Sequence, residues 1–261
     1  MKILVPLDGS IFSEAILGPV VQLADAMNAE VHLMRVGELE AGSGGATVNI
    51  DQILVNAEEY MAQVARRFVS AKVQVWAIPG DNPAQAILTF SQEQGVDLIA
   101  MSTRGRSGLG RWVFGSTADK VLQSTTTPLL LLRPRGEKDS LERSPIDALV
   151  VPLDGSELAE SALSYAEELA WGMALKISLI RVVPLMSMTY PAGEHYVYDP
   201  RLDQDMENAA VSYLQQKQAD LAKRGFRVEQ QMKRGNPAAA ILDFAEERGS
   251  SLIVMSTHGR S

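Results

Sequence analysis

The sequence predicts two tandem α/β domains, each a doubly wound, mostly parallel sheet with helices on both faces. Three observations lead there. Ile3-Leu4-Val5-Pro6-Leu7-Asp8-Gly9-Ser10 returns as Leu149-Val150-Val151-Pro152-Leu153-Asp154-Gly155-Ser156, and Ile99 to Ser107 returns as Ile253 to Ser261, so the repeating unit is a whole small domain. Within each copy, short apolar runs alternate with stretches of helical periodicity, the pattern of parallel strands joined by right-handed crossovers. A chain of 261 residues with 46% hydrophobic and 21% charged residues is ordinary globular material, long enough for two separate cores.

In the first copy, Ile3 to Leu7 reads as a buried parallel strand closed by the turn Asp8-Gly9-Ser10. Ala15, Ile16, Val20, Leu23, Ala24 and Met27 then recur at helical spacing up to Asn28. Val31 to Val36 is the second strand, and a Gly- and Ser-rich loop from Gly37 to about Thr47 leads to a helix around Asp51 to Val69. Val73 to Ile78 is the third strand. Asn82 is placed to cap the next helix, with Pro83 in its first turn. Asp97 to Met101 is the fourth strand, Gly115-Ser116 opens the fourth helix, and Pro128 to Leu132 is the fifth strand. This copy spans 1–134. Residues 135–147, rich in charge and holding Gly136 and Pro145, read as a linker. The second copy, 148–261, repeats the pattern, with Lys176 to Val183, Val228 to Met232 and Leu252 to Met255 as its second to fourth strands. Its long loop from Pro184 to about Arg201 holds Met186, Tyr190, His195, Tyr196 and Tyr198, and fits either a ligand cover or a variable surface loop. Ser261 matches Ser107, so the second copy is expected to lack its last helix and strand in this chain.

A net charge of −8 argues against a nucleic-acid or anionic-membrane surface, which would show a basic face. With no cysteine there is no disulfide framework, thiol nucleophile or thiolate metal site. Met1-Lys2 leads straight into a strand, and no stretch approaches eighteen apolar residues, so a cytoplasmic protein is expected. His32, His195 and His258 do not recur between the copies as a duplicated base would, and no metal-ligand cluster is visible. No catalytic residue and no metal site is assigned.

Ligands in open α/β sheets bind beyond the carboxyl ends of the strands where strand order reverses. The candidates are the Asp8-Gly9-Ser10 loop and the segment from Ser102 to Ser116. The second carries Gly105, Gly108, Gly110 and Gly115 with Arg104, Arg106 and Arg111 and no acidic residue. Glycines let backbone N–H groups approach an anion, and a helix start at Ser116 adds donors, so this segment suits a phosphate. Gly110-x4-Gly115-Ser116-Thr117 lacks the lysine of a P-loop, and no G-x-G-x-x-G follows the first strand. Asp8 fits both an Asx turn or helix cap and a ligand contact. Ser116-x-x-Asp119 has the form of a capping box, which alone would account for a serine there.

Val-Pro-Leu-Asp-Gly-Ser at the first strand, and Met101-Ser102-Thr103-Arg104-Gly105-Arg106-Ser107-Gly108 with Phe114-Gly115-Ser116-Thr117-Ala118-Asp119-Lys120-Val121-Leu122, resemble the universal stress protein family over nearly the whole chain. The family's ATP-binding motif G-x2-G-x9-G-[S/T] maps onto Ser102, Gly105, Gly115 and Ser116, with serine in place of the first glycine, as also at Ser256. The resemblance implies five-stranded sheets in the order 3-2-1-4-5 and ATP, or another adenine nucleotide, as a regulatory ligand. Mg2+ would arrive with its phosphates. It places Pro6, Leu7 and Asp8 around adenine and ribose, Val36 and Met101 against the adenine, and Ser102, Arg104, Gly105, Gly115, Ser116 and Thr117 around ribose and phosphates. Pro152, Asp154, Val182, Met255, Ser256, His258 and Gly259 form the matching part of a second site that lacks the closing Gly-Ser. It also implies an intramolecular pseudo-dimer or a homodimer through the fifth strands. The alternatives are a slow ATPase and an interaction module that binds no nucleotide.

Overall fold

The amino-terminal strand β1 (Lys2–Pro6) lies in the middle of its sheet, and the first unit is assembled around it. The computed structural model describes residues 1–37, 50–103, 115–134, 145–184 and 200–256. They divide into two units, Met1–Pro145 and Ile146–Ser261. In the first, β1 is followed by α1 (Ile11–Glu14), α2 (Leu17–Met27), β2 (Glu30–Gly37), α3 (Ile50–Ala65), β3 (Val73–Pro79), α4 (Pro83–Glu93), β4 (Leu98–Ser102), α5 (Ser116–Ser124) and β5 (Leu129–Leu132). The strands are parallel in the order β3-β2-β1-β4-β5. The second unit runs β6 (Ala148–Pro152), α6 (Glu157–Glu160), α7 (Ala162–Met173), β7 (Lys176–Val183), α8 (Pro200–Lys223), β8 (Val228–Arg234), α9 (Pro237–Glu246) and β9 (Ser251–Ile253). Its described strands, also parallel, lie in the order β8-β7-β6-β9.

Helices on both faces explain why β1 and β6 are unbroken apolar runs, with Ile3, Leu4, Val5, Leu149, Val150 and Val151 all fully buried. Leu4 faces a cluster with Met34, Ile99 and Met101 under Ile87 and Phe90 of α4 and Val121 of α5. In unit 2, Leu149 and Val151 pack against Leu163 and Ala166 of α7 and Leu214 of α8, while Val150 and Ile180 meet Phe244 of α9. Each fully buried side chain of this size contributes roughly 1.5–3 kcal/mol.

Caps follow the residue types. Asn82 and Asn236 accept from the backbone N–H three residues on, and each precedes a proline at the helix start. The helix read over Ala15 to Met27 starts at Leu17, and a separate short helix, α1, precedes it. Ser10 caps α1, Ser13 Oγ donates back to Ser10 O at 2.9 Å, and Ala15 and Ile16 close i→i+3 turns before α2 starts afresh. The same division falls at Ser161 in unit 2.

The units differ at one buried strand position. His32 of β2 accepts from Trp76 Nε1–H through Nδ1 at 3.1 Å, which leaves the proton on Nε2, a buried atom without a hydrogen-bond partner and 3.6 Å from Glu30 Oε1. Burial holds His32 below the ordinary imidazole range, outweighing Glu30, with Lys2 and Lys72 adding repulsion. The matching residue of β7 is Ser178, whose hydroxyl donates to Glu229 at 2.8 Å. Burial pushes Glu229 up, but donors from Lys176, Ser178 and Arg248 outweigh it and hold the carboxyl at about 2.

The two sites give successive limbs of one acid titration. His32 is depressed from 6.5, so the folded unit 1 binds protons less readily than the unfolded chain and loses stability as pH falls below 6.5. Glu229 is depressed from 4.5, so its contribution to unit 2 is complete above 4.5 and fades only toward about 2. Thermal melts across pH 8 to 4 are therefore expected to show the unit 1 transition falling first, and His32→Phe to flatten that limb.

Candidate functional site

The β1–β4 ladder ends early. Its pairs are Ile3 with Leu98 and Leu4 with Ile99, whereas β1 stays with β2 through Pro6 and Met34, and β4 stays with β5 through Ser102 and Leu132. Leu7 N–H then donates to Met34 O, and Thr103 N–H to Leu132 O, both at 2.8 Å. Beyond the paired residues the two chains follow opposite neighbours and part at the carboxyl end of the sheet, where strand order reverses and open α/β sheets form their ligand crevice.

One rim is the Asp8 turn. Asp8 Oδ1 accepts Ser10 N–H at 2.9 Å, Gly9 has φ +84°, and Ser10 Oγ caps α1 by accepting from Ser13 N–H at 3.1 Å. The second unit repeats it: Asp154 Oδ1 accepts from the Ser156 amide at 2.8 Å and its hydroxyl at 2.6 Å, and Gly155 has φ +89°. The Asx-turn reading of Asp8 is thus realised, and leaves a carboxylate half-buried on the rim.

The other rim is β4 and α5. Ser102 and Thr103 are buried, and Gly115 N–H donates to Thr103 O at 2.8 Å, which ties the start of α5 to the end of β4. A Cβ on Gly115 would sit 3.2 Å from Thr103 O, so this close approach favours glycine. The capping box read at Ser116 does not form. Gly115 is the N-cap, with no side-chain cap bond, and the Asp119 carboxylate accepts from Gln123 instead. Because the close approach to Thr103 puts glycine at the cap, Ser116 falls one residue inside the helix, exposed, with Thr117 half-buried beside it. Helix starts without a side-chain cap keep N–H donors for an outside acceptor.

Pro6 and Val36 are half-buried at strand ends, and Leu7 and Met101 are buried, Met101 within the Leu4 core. Arg104, Gly105, Arg106 and Arg111 lie outside the described residues, as do His258, Gly259 and His195. In unit 2, Pro152, Asp154 and Val182 occupy the corresponding places, Ser256 is half-buried, and Met255 is 56% exposed where Met101 is 6%. Val36 is paired with Ile78, but Val182 is paired with Lys233, whose ammonium donates to Glu247 at 2.7 Å. Beside Val182 the second unit therefore has an ion-paired lysine where the first has isoleucine beside Val36.

A duplicated cluster escaped the reading of the sequence. Arg35 of β2 places its guanidinium against Gly9 and 5.0 Å from the Tyr60 ring centroid, and Tyr60 Oη donates to Glu14 of α1 at 3.0 Å. Arg181, Gly155, Tyr213 and Glu160 repeat this, with 4.8 Å to the ring and 2.7 Å to the carboxylate. Burial, then the carboxylate, push both phenols far above their ordinary range. Burial raises Glu160, but donors from Lys217 and Tyr213 outweigh it and hold it low. The signal was present: Ala57, Tyr60 and Met61 align with Ala210, Tyr213 and Leu214 once the copies are superposed. Among the described residues no group of three or more His, Asp or Glu is arranged to hold a metal ion.

A model of the Universal stress protein family matches residues 1–133 and again 145–261. Universal stress protein YxiE of Bacillus subtilis is 32% identical over 151 residues, 51% of this chain and 98% of that protein. A universal stress protein of Mycolicibacterium smegmatis is 23% identical over 271 residues, covering 99% of this chain and 87% of its own length. The crystal structure of a universal stress protein from Archaeoglobus fulgidus shares the fold, with a TM-score of 0.67 at 22% identity over 97% of this chain and 85% of that one.

Gly9→Ala is expected to destabilise unit 1 by about 1–3 kcal/mol, since it strains a positive φ and pushes a Cβ to 3.3 Å from Arg35 Nη1. Gly18→Ala, in a helix with nothing within 4 Å, is expected to be neutral or stabilising. Urea melts of the two variants check this.

Proposed function

This chain belongs to the universal stress protein family, and from that premise we propose that its first unit binds ATP as a regulatory ligand. The observation that carries the reading is the early parting of β1 from β4, with the Asp8 turn following one strand and the uncapped start of α5 tied to the end of the other. In this reading the adenine lies against Val36 and Met101, with Pro6 and Leu7 at its edge, and the Asp8 carboxylate accepts from a ribose hydroxyl. The phosphates take N–H donors from the first turn of α5 and hydroxyls from Ser116 and Thr117. Such a ligand calls for an apolar wall, a carboxylate and N–H donors, and Val36 with Met101, Asp8 and the start of α5 supply groups of these three kinds. Mg2+ enters with the phosphates. No side chain is assigned to hydrolysis; His32, buried and bonded to Trp76, is not available as a base.

The second crevice is proposed not to take the same ligand, because Lys233 stands beside Val182. No helix among the described residues is long and apolar enough to cross a membrane.

A second reading, an interaction module without a nucleotide, draws on one specific observation: Asp8 and Gly115 both have structural duties, in an Asx turn and a close backbone contact.

Calorimetric titration with Mg-ATP separates the two. The nucleotide reading expects one site per chain, and Asp8→Asn to weaken it roughly tenfold or more, the loss of one hydrogen bond to a charged group. Absence of saturable heat, with no rise in melting temperature at millimolar Mg-ATP, would favour the module.

A further inference from the structure

We propose that Arg35 is a positioning residue for the Asp8 turn, and that Arg181 does the same for the Asp154 turn. The inference deepens the nucleotide reading and rests on it for its ligand.

A Cβ built on Gly9 would lie 3.3 Å from Arg35 Nη1 and 3.4 Å from both Cζ and Nη2. Three such similar distances mean that the planar guanidinium presents its face to Gly9. At Gly155 the distances to Arg181 are 3.3 Å to Nη1 and Nη2 and 3.5 Å to Cζ, the same arrangement. The tyrosine ring lies within cation–π range of the same guanidinium in both units. Its hydroxyl binds the glutamate of the short helix that the turn's own serine caps, Glu14 after Ser10 and Glu160 after Ser156. A cation closes each cluster, Arg67 at 2.5 Å from Glu14 and Lys217 at 2.5 Å from Glu160.

The turn is thereby held from two sides. Arginine seats the glycine that follows the aspartate, and tyrosine holds the helix that follows the serine. The two units diverge close by, with His32 against Ser178, Trp76 against Gln231 and Ile78 against Lys233, yet both keep glycine, arginine, tyrosine and glutamate. A purely apolar brace would seat glycine as well. The guanidinium adds a positive charge beside the turn that carries the aspartate, and the stacked geometry is one that lysine does not reproduce.

The test uses the full chain and four proteins: wild type, Arg35→Met, Asp8→Asn and the double variant. Two readouts apply, Mg-ATP titration and amide hydrogen exchange at Ser10, whose N–H is bonded to Asp8. Arg35→Met is expected to accelerate Ser10 exchange severalfold without ligand and to weaken Mg-ATP roughly tenfold, while the double variant binds no more weakly than Asp8→Asn alone. Additive losses in the double variant would show that Arg35 acts independently of Asp8 and overturn the proposal. Unchanged Ser10 exchange would overturn it whether or not the wild type binds nucleotide. If the wild type binds nothing yet Ser10 exchange rises in Arg35→Met, the nucleotide reading fails and the positioning role stands. Should Arg35→Met fail to fold, Arg35→Lys replaces it, with the same direction of effect expected in both readouts.

Discussion

The ladder between β1 and β4 stops at Leu4 and Ile99, and the rest of the site follows from that. Hydrogen bonds to outer neighbours hold both strands: Leu7 to Met34 on one side, Thr103 to Leu132 on the other. In a sheet ordered β3-β2-β1-β4-β5 only this one pair has its crossovers leaving in opposite directions, so the gap is a property of topology rather than of any side chain. Backbone groups at the gap still need partners. They find them in the Asp8 carboxylate for Ser10 and the Thr103 carbonyl for Gly115.

Around this shared frame the two units have diverged in electrostatics. Unit 1 buries a neutral imidazole between Trp76 and Phe90, and unit 2 puts a low-pKa carboxylate with three donors at the corresponding edge. Beside Val182, the ion-paired Lys233 continues the charged character. The arginine–tyrosine–glutamate cluster has not diverged. It links β2, the helix after it and the short helix that follows the turn, with the guanidinium against the turn's glycine.

Much of the fold was legible because buried parallel strands leave a signature that few other elements share. Ile3 to Leu7 is an unbroken apolar run, Val31 to Val36 and Lys176 to Val183 are mostly apolar, and the structure places each within a residue or two of the run. Asn82-Pro83 was equally plain, since side-chain capping and the missing proline N–H act locally. The short helix α1 was not, because its four residues, held by Ser13 turning back on Ser10, carry no apolar period of their own. Ser116 misled for a related reason: serine three before aspartate fits a capping box, but the contact of Gly115 with Thr103, distant in sequence, decides where the helix starts. Arg35 and Tyr60 are far apart in sequence, and each looks like a surface residue until the two copies are compared.

The central claim is that the Asp8 turn and the start of α5 form the two rims of one ligand site. The most direct test follows the backbone amides of the nitrogen-15-labelled chain as Mg-ATP is added. The account predicts that Leu7 to Ser10 and Gly115 to Ala118 shift together, saturably and with one midpoint. Saturable shifts confined to other parts of the chain, with both rims unmoved, would contradict it.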